Sequence, residues 1–173
     1  MRSRIVILMA VISLALAAHS PAQCPRWLPG DPGEGADQFV YAATTWDPDG
    51  PGPLDPVLVI GGAFNHGGGW GAGSHIATWN GSSWGALGTG LTGGSYGVMA
   101  TTVYNGQLIA SGDFSFAGQT ALHGIGRWDG TAWQPMGVSL LVTAIITLTV
   151  YNGDLIAGGL FNGVGSPNIA RWD

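Results

Sequence analysis

The chain of 173 residues has room for one ordinary domain with a real core and too little for two independent ones. Its 31 Gly without a strict three-residue period argue against collagen and for a chain that turns often, while its 8 Trp argue against disorder. A net charge of −5, with no Lys at all, argues against nucleic acid and anionic lipid as partners.

The first predicted element is a signal peptide over residues 1–22. Arg2 and Arg4 supply a positive start, and residues 5–18 (IVILMAVISLALAA) form an apolar run. That run falls short of the roughly 20 residues a spanning helix needs, although a retained N-terminal anchor is the alternative. Ser20 and Ala22 stand at −3 and −1 to cleavage before Gln23, which predicts a secreted or otherwise extracytoplasmic protein. Cys24 invites a lipoprotein reading, but Pro21, Ala22 and Gln23 spoil the small-residue pattern that lipidation requires. As the lone cysteine it has no partner within the chain. Residues 23–39 form an N-terminal segment in which Arg26-Trp27-Leu28-Pro29-Gly30 resembles the later phrase Trp84-Gly85-Ala86-Leu87-Gly88.

From residue 40 onward the sequence repeats itself. Residues 100–114 (ATTVYNGQLIASGDF) align without a gap on residues 147–161 (TLTVYNGDLIAGGLF), and residues 57–64 (VLVIGGAF) are a third copy of the latter half. Downstream of each Phe comes a second shared phrase: residues 76–84 (IATWNGSSW), 125–133 (IGRWDGTAW) and 169–173 (IARWD). Phe64 to Phe114 is 50 residues and Phe114 to Phe161 is 47, so about three units are expected, near 40–88, 98–137 and 145–173.

Each unit reads as four antiparallel strands. Residues 101–104 and 148–151 mark first strands, and Asn105-Gly106 and Asn152-Gly153 suit two-residue type I′ hairpins. The LIAGGxF stretch is the second strand and IxRW the third. A further tight turn at Asn80-Gly81 or Asp129-Gly130 leads to fourth strands at 84–87 and 133–136. Residues 47–55 (DPDGPGPLD) lengthen the first hairpin; their three aspartates do not follow the calcium-loop spacing, and a solvated hairpin is expected.

Four strands at a period near 47 residues match a propeller blade. The order of Gly-Gly, third-strand aromatic and fourth-strand Trp resembles the kelch-type β-propeller repeat, also found in the galactose oxidase propeller domain. It is similar to tandem NGxLIAGGxF…IARWDGxxW units of secreted bacterial proteins. The resemblance covers residues 40–173 and departs from kelch in its x-Phe after the glycines and in Trp rather than Tyr on the third strand. It implies an all-β, propeller-like array of four-stranded antiparallel blades. About three blades are fewer than the roughly 4 to 8 that close a ring, so an incomplete or self-associating array is expected, the incomplete one being a piece of a longer propeller with additional blades, and an open array is the remaining alternative.

Connections between strands two and three, and between units, gather at one end of such an array, and there the sequence varies. Residues 65–75, 115–123 and 162–168 carry His66, Trp70, His75 and His123, which are the candidate binding residues. Three histidines without fixed short spacing read as solvated rather than metal-ligating, and Trp70 is a stacking platform for a sugar or a packed loop indole. Arg127 and Arg171, recurring beside Trp128 and Trp172, read as structural. The sequence offers no Lys, no nucleophile motif and no phosphate loop, so no catalytic residue, metal or cofactor is expected. A galactose-oxidase-like copper site would need a Tyr-linked Cys among the repeats, and Cys24 lies outside them. The expected function is a non-catalytic module for protein or glycan binding through Gly-rich loops. The alternatives are a fragment of a secreted glycan-active enzyme or a structural part of a larger surface protein.

Overall fold

The computed structural model describes residues 35–67, 73–137, 141–162 and 167–172. The expected signal peptide, Cys24, the Arg26–Gly30 phrase and Trp70 lie outside the described residues. The described chain is all-β, with thirteen strands in several antiparallel sheets, none of them closed.

The first sheet is the meander β1 (Val40–Trp46), β2 (Val57–Gly62), β3 (Ile76–Trp79) and β4 (Trp84–Ala86). The second joins β5 (Val98–Tyr104), β6 (Gln107–Gly112), β9 (Ile125–Trp128) and β10 (Trp133–Pro135). Between β6 and β9 the chain makes a separate small hairpin, β7 (Phe116–Ala117) with β8 (Thr120–Ala121). The third sheet contains β11 (Leu141–Tyr151), β12 (Asp154–Asn162) and β13 (Ile169–Trp172).

Turn chemistry sets the register of these sheets. Asn105 and Gly106 both have positive φ (50° and 76°), as do Asn152 and Gly153 (52° and 89°), the backbone that a type I′ turn demands. They link Tyr104 to Gln107 and Tyr151 to Asp154 directly across the ladder. The Asn80 and Asp129 turns are longer than a two-residue hairpin. Trp79 pairs with Trp84 and Trp128 with Trp133, leaving four-residue loops closed by Asn80 N–H to Ser83 O and Asp129 N–H to Ala132 O. In each case the paired indoles lie against one another, at 5.2 and 5.5 Å between centroids.

The three sheets stack in chain order, with β1 packed on β5 and β5 on β11. Strand alternation divides side chains between the two faces. In β6, Leu108 and Ala110 join Val59, Ile76 and Phe114 in a core between the first and second sheets. Their neighbour Ile109 points the other way, to Ile145, Leu155, Ala157 and Phe161 between the second and third. The middle sheet is thus covered on both faces, and large aliphatic and aromatic burial of this kind contributes about 1.5–3 kcal/mol per side chain. A polar link supplements the first interface: Thr44 Oγ1 donates to the Thr101 carbonyl at 2.9 Å and lies 2.7 Å from Thr101 Oγ1.

Candidate binding face

At the end of the sheets where β2 leads to β3 and β6 to β9, residues 87–97 cross from the first sheet to the second. Leu87 and Leu91 are buried in the core beneath this crossing. Its backbone is bonded on both sides: Leu91 N–H donates to Ser74 O at 2.9 Å, and Thr92 N–H donates to Phe116 O at 2.8 Å. The described loops of the first two sheets at this end are therefore joined through the crossing segment.

Carboxylates fasten them further. Asp37 accepts from the backbone N–H groups of Asn65 (2.9 Å) and His66 (3.1 Å), and the His66 ring lies 3.4 Å from its other oxygen. The His66 N–H is the chief reason that the Asp37 carboxyl is held below the usual carboxylate range. In the second sheet Asp113 accepts from the N–H groups of Ser95 (2.8 Å) and Tyr96 (3.1 Å). At the opposite end Asp129 accepts from Ala132 N–H (2.8 Å) and Thr131 N–H (2.9 Å), which hold its carboxyl far below the ordinary range.

The histidines have separate fates. His75 is buried; its Nδ1 donates to the Leu91 carbonyl, with Ser74 Oγ at 3.0 Å, and its ring abuts Gly97. It occupies a left-handed backbone position (φ 62°) that exchanges hydrogen bonds with Gly62 and Phe64. Gly124 and Asn168 hold the corresponding places against Phe114 and Phe161, also at positive φ. The ring of His75 therefore anchors the crossing segment instead of facing solvent. His66 and His123 are exposed. No group of three or more His, Cys, Asp or Glu is placed to hold a metal among the described residues. Arg127 donates to Gln107 Oε1 and Arg171 to Asp154 Oδ2, each at 3.2 Å, so both guanidinium groups brace the base of a hairpin.

Exposed aromatics mark this end more clearly than the histidines do. Tyr96 is 55% exposed and Phe116 45%, both on the loops that Asp113 and Thr92 fasten. Phe39 is 70% exposed and stacks on Tyr41 at 6.1 Å. The Phe39 carbonyl abuts Gly62, and the Gly62 carbonyl abuts Gly97, next in sequence to Tyr96. Neither Tyr96 nor Phe116 is distinguishable in the sequence from a packed aromatic, because their exposure follows from the crossing segment and the β7–β8 hairpin. That hairpin leans on edge strand β10, and an open cleft of about 280 Å³ beside it runs toward the Asp129 turn, lined by Thr89, Gln119, Thr120, Thr131, Trp128 and Trp133.

This surface offers aromatic faces, hydroxyls and an amide on fastened loops, which is equipment for binding. Compared with protein-family models, curated proteins and solved structures, the chain matches none.

Proposed function

We propose that the chain is an exported, non-catalytic binding module of propeller type, its sheets corresponding to blades, and that its ligand is a neutral glycan. The observation that carries this reading is the exposure of Tyr96 and Phe116 on loops held by Asp113 and Thr92, Phe116 standing on the β7–β8 hairpin that also lines the threonine-bearing cleft. Sugars offer apolar C–H faces to aromatic rings and hydroxyls to Thr and Gln, and both kinds of group are exposed on these loops. The acidic balance of the chain favours a neutral ligand over an anionic one. Export rests on Arg2, Arg4 and the apolar run that follows.

A printed array of neutral oligosaccharides, probed with the purified chain and with the Tyr96→Ala, Phe116→Ala double variant, tests this. Retention that falls at least about tenfold in the variant is the expected result, in line with loss of aromatic anchors. Equal retention by both proteins, or none by the parent chain, overturns the glycan reading.

A further inference from the structure

The two interfaces between sheets use the same positions, and that recurrence points to what the end faces of the stack, covered by no further sheet among the described residues, are built to meet. On the face directed to the following sheet, Trp46, Val59 and Ile76 of the first sheet are buried against the second. Tyr104, Ile109 and Ile125 of the second sheet occupy the corresponding ladder positions and pack toward the third. In the third sheet the same positions hold Tyr151, Ile156 and Ile169. There Tyr151 is 67% and Ile169 55% exposed, and Leu160, on the same side of β12 as Ile156, is exposed as well.

The face directed to the preceding sheet shows the converse. Val98 and Leu108 are fully buried against the first sheet, and Ile145 and Leu155 against the second. Their counterparts in the first sheet, Val40 and Leu58, are 46% and 39% exposed. Ile60, Phe64 and Ala77 on that face are already gathered with Ala36 and Trp84.

We propose that these two faces are complementary to one another, so that the third sheet of one molecule docks on the first sheet of a second copy, head to tail, continuing the stacking already present twice within the chain. Continuity with the internal interfaces selects a second copy as occupant: the exposed side chains have the type and ladder position that bury against this same fold inside the molecule. Even the polar pair fits, since Arg171 and Asp154 stand where Arg127 and Gln107 lie part-buried beside the third sheet. A contact between two different faces leaves a free face at each end, so association is open-ended unless a ring closes. The inference is independent of any glycan.

Sedimentation of the purified chain from low to high micromolar concentration reads this directly. The expected result is a mass that rises with concentration beyond the monomer. Leu58→Glu and Ile169→Glu each place a charge on one exposed face, and each is expected to weaken association at least about 30-fold, with the circular dichroism of the parent retained. A mixture of the two variants provides the decisive arm. One keeps an intact third-sheet face and the other an intact first-sheet face, so together they form a dimer and nothing larger. A parent chain that stays monomeric throughout overturns the proposal, as would a Leu58→Glu chain that still dimerises alone, since that requires two like faces in contact.

Discussion

The indole Nε1 of Trp46 donates to the carbonyl of Gly106 at 3.1 Å, so the last residue of β1 is bonded to the hairpin turn of the next sheet. Trp46 is 6% exposed and belongs to the core between the two sheets. One side chain thus fills the interface and fixes its offset. Trp133 does the reverse, donating from the second sheet to Leu87 O at 3.2 Å.

Replacing Trp46 separates these two contributions. Trp46→Phe keeps most of the apolar volume and loses the donor, with an expected cost of about 1–2 kcal/mol in urea denaturation. Trp46→Ala removes the filling as well and is expected to cost about 3–5 kcal/mol. Equal costs for the two variants would show that the hydrogen bond, not the ring, dominates.

His75 combines a left-handed backbone with a buried ring, and the two demands respond differently to substitution. Asn168 holds the corresponding position in the third sheet at φ 67°, so His75→Asn suits the backbone and loses only ring packing and the bond to Leu91. His75→Ala loses these and also strains the backbone, adding about 1 kcal/mol. Thermal melting is expected to rank parent above His75→Asn above His75→Ala.

The Asp129 turn gives a pH signature. Its carboxyl is held low by the Ala132 and Thr131 N–H groups, so its stabilising effect is fully present above the unfolded carboxylate's pKa of about 3.8 and is lost as pH falls through the lower folded value. Asn80 makes the same turn in the first sheet through Oδ1, accepting from Ser82 and Ser83 N–H without a charge. Asp129→Asn is therefore expected to keep the fold and to remove part of the acid sensitivity. Denaturation midpoints of the two proteins, apart at pH 6, should stay equally apart down to about pH 4 and draw together only as pH falls further. A gap that stays constant as pH falls well below 4 would mean that the charge of Asp129 contributes nothing.

Much of the fold is legible in the sequence because its signals are local. Asn-Gly at 105 and 152 fixes two hairpins, and the IxRW phrases fall on β9 and β13. What escapes local reading depends on distant partners. Val98 extends β5 ahead of residue 101 by pairing with Gly112, and β11 begins ahead of residue 148 through a ladder interrupted by two register shifts. The β7–β8 hairpin has strands of two residues each, too short to carry a period, and it is held partly by Thr92 from the crossing segment. The candidate site was the least legible part. A histidine at 75 gives no hint that its ring will turn inward to Leu91, nor an aspartate at 113 that its carboxylate will reach residues 95 and 96. Such bonds join residues 16 to 18 apart, and their formation is decided by the packed sheets rather than by neighbours in sequence.

Because the middle sheet is packed on both faces while the third has one neighbouring sheet among the described residues, the molecule is expected to be graded in its resistance to opening. Its amides are expected to exchange as those of a one-dimensional stack do, with nearest-neighbour contacts setting the local free energy. The slowest hydrogens are expected in β6 and β9, whose side chains enter both cores. Fraying starts at β13, a four-residue strand bonded only to β12 and covered by no further strand among the described residues.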